Sequence, residues 1–259
     1  MHNNRKKWAS LFVLYMVIAA PAYAEQAQAK LQAIQEMRSL AFLTCANVLV
    51  YFNQNGSPYE VRNKQGYQQQ MVRLRSLATS TEVPDVVAEL ERLQTRLDDT
   101  DKLPQESSVL RATEPSYSRV LLPVIESHAH LQVLLDKHYA QAQSGEPLRE
   151  QGELHALSRA IGQLMVGYQI ASFSRLGAET WVMRDEQIRE RDQQVTEAFE
   201  RLSAEHPEHA EALKRSARQY VFVRGVVLQQ DGNWSPNGVE RYMQLTITEV
   251  DQIARGLLK

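Results

Sequence analysis

The sequence predicts an all-α protein in which two related four-helix units, arranged as bundles, follow a cleaved signal peptide. Three observations support this fold class. Glycine and proline lie almost entirely between long stretches of helical periodicity, and β-branched residues form no alternating runs bounded by turns. The two halves of the chain also share a pattern of apolar and proline positions.

The first 24 residues have the three parts of a secretory signal peptide. Residues 5–7 form a positive head, residues 11–20 an apolar run, and residues 22–24 the small-x-small pattern that a signal peptidase reads. The apolar run is about half of the roughly 20 residues that span a bilayer as a helix, which disfavours the alternative of an uncleaved anchor. We expect cleavage between Ala24 and Glu25 and a periplasmic protein, with full secretion as the alternative.

The mature chain is expected to be acidic. The first 24 residues hold three of the 29 lysines and arginines and none of the 31 acidic residues, so residues 25–259 carry a formal charge of −5. Nucleic acids and anionic membranes bind to concentrated basic surfaces, and no basic cluster survives cleavage. We therefore expect no nucleic-acid partner and no stable membrane insertion.

Eight helices are expected between the helix-breaking loops. They cover residues 27–53, 59–79, 84–99, 116–142, 148–176, 180–204, 207–228 and 237–257. The loops at 55–58, 144–147 and 231–236 contain glycine and proline. Pro84 and Pro207 are each expected in a first helical turn, where the missing amide hydrogen is tolerated.

Apolar residues spaced three and four apart place a seam on the first, fourth and fifth of these helices. The seam residues are Leu31, Ile34, Ala41, Cys45, Val48 and Phe52; then Tyr117, Leu121, Val124, Leu131 and Leu135; then Leu154, Leu157, Ile161, Leu164, Tyr168 and Ala171. Such seams join helices in a bundle. Cys45 is the only cysteine, so no disulfide can form within the chain, and we interpret this thiol as a core residue.

The second half of the chain repeats the first. Placing residue 31 over residue 154 aligns Leu31 with Leu154, Ala33 with Ala156, Ile34 with Leu157, Pro84 with Pro207 and Leu90 with Leu213. A two-residue change of offset then aligns Tyr117 with Tyr242 and Ala129 with Ala254. We expect an N-terminal unit over residues 25–143 and a C-terminal unit over residues 144–259, either as two bundles or merged into one domain.

Two groups of histidines are candidates for chemistry. His128, His130 and His138 lie on the fourth predicted helix, where only Glu126 and His130 have the spacing of two ligands on one face. A second run, Glu205–His209, lies at a predicted helix start, where acidic side chains suit the helix dipole. We predict no metal site and no catalytic residue from either group. The charged stretch 184–191 is interpreted as a solvated helix face.

Arg38 is the residue whose position is hardest to explain by packing alone. It falls on the seam of the first helix, at the position where the second repeat has Ile161. A charge in a core must be paired, must reach the surface, or must meet a ligand. Polar groups inside helical bundles commonly form ligand sites, so Arg38 is a candidate ligand-binding residue with His128 as its neighbour.

The function that these features favour is a non-enzymatic binding or adaptor module for an envelope protein or a small ligand. No cofactor is expected, because the chain has no glycine-rich phosphate loop, no nucleophile elbow and no haem-attachment motif. One alternative is an enzyme, metal-dependent or not, centred on His128, His130 and His138. Another is a structural or assembly factor of a secretion or surface system.

Overall fold

The computed structural model describes residues 5–102, 115–143, 149–173, 181–229 and 234–257, with side chains described from residue 27 on and, in the fourth helix, from residue 119 on. Within these residues there are eight helices and no strand: α1 (Arg5–Tyr51), α2 (Val61–Ser80), α3 (Pro84–Thr100), α4 (Pro115–Ala142), α5 (Arg149–Ala171), α6 (Asp185–Glu205), α7 (Ala210–Gln229) and α8 (Pro236–Gly256). The all-helical class predicted from the sequence is confirmed. None of these helices, over the described residues, has the length and hydropathy needed to cross a bilayer.

Three helices begin three or more residues from their predicted starts, and α5 ends at Ala171 instead of residue 176. α1 begins at Arg5 instead of residue 27. α6 begins at Asp185 because the side chain of Gln187 accepts the backbone N–H of Arg184 at 2.9 Å and caps the helix there. Pro207 does not begin α7 as predicted, because it lies in a turn whose backbone hydrogen bonds lead into a helix starting at Ala210.

The order in which the helices pack divides them into two sets of four. In the first set α1 packs against α2 and α4, and α3 also packs against both. In the second set α5 packs against α6 and α8, and α7 also packs against both. The two sets meet where α1 packs against α5 and α8, so α1 belongs to the first set and also forms most of the contact with the second.

The predicted seams form the core of both sets. The described seam residues of α1, α4 and α5 are all buried except Ala171, which is half-buried at the end of α5. The side chain of Tyr117 lies outside the described residues. Cys45 is buried as expected, and burial raises the pKa of its thiol to about 12, so it stays protonated and unreactive at neutral pH.

α1 and α5 run parallel and in constant register. Three pairs of polar side chains, each 119 residues apart, connect them: Gln32 with Gln151 (3.0 Å), Ser39 with Ser158 (3.4 Å) and Asn53 with Ser172 (2.7 Å). These contacts extend along most of the length of α5. The junction between the two sets of helices is therefore polar as well as apolar, and the polar pairs define which turn of α1 faces which turn of α5.

Two buried carboxylates of α8 lie at the junction between the two helix sets. Burial raises the pKa of Asp251 to about 6, while hydrogen bonds from Ser39, Ser158 and Gln35 act in the opposite direction. Glu240 is fully buried and accepts the Arg62 guanidinium of α2 at 2.6 Å. Both carboxylates bind groups of the other helix set, because removing them from water is favourable only with partners.

A close approach of α1 and α5 depends on Gly162. A Cβ atom at this position would lie 2.5 Å from Cδ2 of the Phe42 ring, a distance that real Cβ contacts do not show. Phe42 is buried and packs edge-on against the ring of His128, so it has little room to move. Glycine at 162 therefore allows the two helices to approach closely.

The substitution Gly162→Ala should destabilise the protein although alanine favours helix. Overpacking costs about 1–3 kcal/mol, which offsets the gain of up to about 1 kcal/mol that alanine gives in a helix interior. Gly225→Ala is the matched control, because no atom lies within 4 Å of a Cβ built there. Urea unfolding should place the control above the wild type and Gly162→Ala at or below it. Equal gains for both variants would show that Gly162 is not needed for the helix contact.

Candidate functional site: a cleft between α4, α5 and α6

Arg38 of α1 is buried and paired. Only 5 % of Arg38 is exposed to solvent. Its Nη2 lies 2.9 Å from Oδ1 of Asp136, and its Nη1 donates a hydrogen bond to the side chain of Gln35 at 3.1 Å. The guanidinium carbon lies 4.4 Å from the centre of the Tyr139 ring, which adds a cation–π contact. Burial lowers the pKa of Arg38 and Asp136 raises it, but an arginine stays charged throughout.

The Tyr139 ring under Arg38 is held by a buried histidine. Tyr139 Oη and His155 Nδ1 are 2.9 Å apart, and His155 Nε2 is 2.9 Å from Oε1 of Gln32. Burial lowers the pKa of His155 to about 3, and the charge of Arg38 acts in the same direction. His155 is therefore neutral at physiological pH, so it accepts the tyrosine hydroxyl and donates to Gln32 at the α1–α5 junction.

Arg38 and Tyr139 border an open cleft of about 470 Å³ between α4, α5 and α6, which we call the Arg38 cleft. Its lining includes four arginines, two glutamates and three glutamines: Arg38, Arg159, Arg191, Arg201, Glu153, Glu197, Gln143, Gln163 and Gln194. Small-molecule sites commonly have volumes of roughly 300–1,000 Å³. The cleft therefore has the size of a small-molecule site and a lining that is unusually rich in charge.

The arginines of the cleft are not all neutralised. Arg38 and Arg159 share the single carboxylate of Asp136, and Arg191 forms no ion pair with any described residue. The Nε atoms of Arg38, Arg159 and Arg191 are buried and have no hydrogen-bond acceptor in the described part of the chain. Since buried polar groups are nearly always hydrogen-bonded, this concentration of unpaired donors in one cleft is unusual.

His128, the second candidate ligand-binding residue, does not line the Arg38 cleft. It faces α1, where it forms a hydrogen bond with the backbone of Ala41 and an edge contact with Phe42 at 5.3 Å between ring centres. Burial lowers its pKa to about 4, so it is a neutral core residue at pH 7. The sequence could not separate Arg38 from His128, because both positions fall on apolar helix faces.

The histidines of α4 do not converge on one cleft. His130 Nδ1 lies 2.7 Å from Oε2 of Glu89, and His138 Nε2 lies 2.7 Å from Oδ1 of Asp85. Both carboxylates belong to α3, so these two histidines fasten α4 to α3, while His128 faces α1. Three histidines with three separate partners do not form the constellation that an enzyme centred on them would need.

The second histidine group forms a different cluster from the one that its spacing suggests. His206 Nδ1 lies 2.9 Å from Oε1 of Glu150 and 3.8 Å from Oε1 of Glu208. The three ligand atoms lie within 4.8 Å of one another, and Glu208 is exposed. The contact joins the start of α5 to the turn between α6 and α7. Glu150 is 56 positions before His206, so helix spacing could not have indicated it.

Arg191 and Arg159 are the site residues that sequence reasoning missed. Arg191 belongs to the stretch 184–191, whose charge pattern predicts a solvated helix face. Residues 184–190 are exposed except for Ile188. Arg191 is half-buried because the next residue, Asp192, is buried and accepts Tyr220 and Arg224 from α7. The rotation that buries Asp192 brings Arg191 to the edge of the cleft.

The chain matches no protein-family model, no curated protein and no solved structure. The side chains that the fold brings together are therefore the evidence on its function. The Arg38 cleft is the place where buried charge, a cavity and unpaired donors coincide.

The low pKa of His128 predicts a loss of stability in mild acid. The unfolded chain protonates this ring near its ordinary pKa of about 6.5, whereas the folded chain resists protonation down to about pH 4. The stabilisation is thus complete above about pH 6.5 and is lost as pH falls, by roughly 2 kcal/mol between pH 7 and pH 5.

Denaturant unfolding of the wild type and of His128→Gln at both pH values tests this. The variant should lose about 2 kcal/mol less than the wild type over this interval. Asp251 acts in the opposite direction, since its raised pKa favours the folded state in acid, but its contribution is common to both chains. Parallel pH profiles would show that His128 does not titrate as its burial implies.

Proposed function

We propose that this chain is an exported, non-enzymatic binding module that holds a small ligand in the Arg38 cleft. The observation that carries the proposal is Arg38 itself, a buried charge that borders a cavity and has an unpaired donor. Burying a charge of this kind costs folding free energy, which favours a functional reason for its presence. Small-molecule sites in helical proteins are built from inward-facing polar groups between helices. The cleft is also open enough for a ligand to enter.

We also propose that the chain arose by duplication of a four-helix unit, with the boundaries 25–143 and 144–259. The repeated packing order of α1–α4 and α5–α8 supports this, as does the parallel contact of α1 with α5. In the sequence repeat Gln32 corresponds to His155, and these two side chains touch each other at 2.9 Å.

The enzyme alternative has less support from the geometry. Its three histidines bind different partners and line no common cleft, and His128 and His155 are held neutral in buried positions. The assembly alternative requires a contiguous apolar surface. On α7 and α8 the exposed residues Val221, Phe222 and Leu245 provide a small one, and the tilted rings of Phe222 and Tyr242 lie 4.5 Å apart between their centres. An envelope-protein partner at this surface is therefore the second candidate function.

Filling the cleft should abolish ligand binding without removing any charge. Ala156 lines the cleft and is exposed, so Ala156→Trp would occupy the space from α5. Ala204→Trp is the matched control, because Ala204 is equally exposed on α6 and lies outside the lining. Native mass spectrometry of protein purified from its own host, and thermal unfolding with a library of neutral and charged metabolites, should reveal ligands that Ala204→Trp retains and Ala156→Trp loses.

A ligand present at a hundred times its Kd would stabilise the wild type by about 2.7 kcal/mol. If both tryptophan variants bind the same compounds as the wild type, the ligand site lies elsewhere. If no compound binds any of the three proteins, the partner surface on α7 and α8 becomes the leading candidate, and cross-linking in the host envelope is the experiment for it.

Export is expected from the N-terminal residues. The predicted product begins at Glu25 and should be recovered from the periplasmic fraction, because the head, apolar run and small-residue exit are those of a cleaved signal. Intact-mass measurement of the protein in each cell fraction checks both points. A full-length chain that sediments with membranes would indicate an uncleaved anchor instead.

A further inference from the structure

We propose that the ligand of the Arg38 cleft is a small polar organic acid, whose carboxylate is bound by Arg38, Arg159 and Arg191. This inference rests on the proposed function, because it names the chemical class of ligand for the same cleft. Its basis is the charge and hydrogen-bonding balance of the lining, which differs from that of an apolar pocket.

The arginines around Asp136 outnumber the carboxylates that pair with them. Arg38 and Arg159 both contact this carboxylate, and Arg191 contacts none among the described residues. Arg201, the fourth arginine of the lining, lies 3.6 Å from Glu153 and is thereby paired. Arg38, Arg159 and Arg191 therefore line the cleft with only the Asp136 carboxylate as an ion-pair partner among the described residues. Cations that are incompletely neutralised favour binding of an anion.

The guanidinium groups also have unpaired hydrogen-bond donors. Arg38 and Arg159 use their terminal Nη atoms for Asp136, which leaves the Nε–H of each buried and without an acceptor. The Nε–H of Arg191 is also buried and without an acceptor among the described residues, while its Nη1 donates to Gln194 at 2.7 Å. Guanidinium groups bind carboxylates through adjacent N–H donors, so a second carboxylate can bind beside the one that Asp136 supplies.

The lining also bears on the remainder of the ligand. Oε1 of Gln163 is buried and has no donor among the described residues, and the exposed Glu197 adds a carboxylate to the same lining. Acceptors beside an anion site favour a ligand that carries a hydroxyl or an amino group as well as a carboxylate. A fatty acid would leave the Gln163 oxygen unpaired, so we infer a hydroxy or amino acid.

The experiment is calorimetric titration of the mature protein with probes built on one four-carbon skeleton: L-malate, L-aspartate, succinate and the neutral succinamide, with inorganic phosphate as a separate arm. L-Malate or L-aspartate should bind most tightly, succinate more weakly, and succinamide not at all. Affinity should fall as the salt concentration rises, since the binding is charge-assisted.

Two variants test the residues. Arg191→Gln should weaken binding by about 10- to 100-fold, the loss expected for one charge-assisted hydrogen bond. Arg189→Gln is the matched control, because Arg189 is exposed on the same helix and lies outside the cleft lining, and its Kd should stay within about twofold. Asp136→Asn should strengthen binding, because it removes the carboxylate that competes for Arg38 and Arg159. A merely structural role of Asp136 would not produce this gain.

The possible results separate the two proposals. Equal binding of succinamide and succinate, or carboxylate binding that Arg191→Gln leaves intact, would overturn the assignment of an organic acid. Binding of phosphate alone would also overturn it, in favour of a phosphorylated ligand. If no anion binds, while a neutral compound from the metabolite library is lost in Ala156→Trp, the small-ligand function stands and this inference fails. If nothing binds in either experiment, both fail.

Discussion

The parallel contact between α1 and α5 is the constraint on which the rest of the structure depends. It joins the two sets of four helices through paired polar side chains in one register and through the close approach of Phe42 to Gly162. This register brings Arg38 of α1 within one helical turn of Arg159 of α5. Asp136 of α4 contacts both guanidinium groups from a third helix.

This arrangement explains why a charged residue is tolerated at a core position. Burying an unpaired guanidinium costs several kcal/mol, and Arg38 offsets that cost with Asp136, Gln35 and the Tyr139 ring. Tyr139 in turn contacts His155, which reaches back to Gln32 in α1. A continuous set of buried polar contacts thus connects the cleft to the junction of the two helix sets. The Nε–H groups of Arg38 and Arg159 are left without an acceptor among the described residues.

Much of the fold could be predicted from the sequence because helical periodicity is a local property. The seam residues from Leu31 to Phe52 and from Leu154 to Tyr168 are buried as their spacing predicts, and Cys45 lies among them. The expectation that Pro207 begins α7 was wrong, because a proline at a possible first turn equally suits the turn before a helix.

The candidate site could be predicted only in part. Arg38 was found because a charge breaks an apolar seam, and that signal needs no partner. Arg159, Arg191 and Tyr139 carry no such signal, since each is an ordinary residue on its own helix. They become a site only because α4, α5 and α6 surround one space. His128 shows the converse, because a histidine on a seam is as compatible with core packing as with a ligand, and the structure places it in the core.

In the proposed ligand site, the side chains of Arg38, Arg159 and Arg191 line one cleft and each has an Nε–H group that is unpaired among the described residues. Side-chain arginine NMR spectra of the ¹⁵N-labelled protein, recorded while L-malate is added, observe these N–H groups directly. The account predicts that the Nε–H signals of Arg38, Arg159 and Arg191 shift together and saturate, while that of Arg189 does not move. Signals of Arg38 and Arg159 that stay unchanged while exposed arginines respond would contradict it.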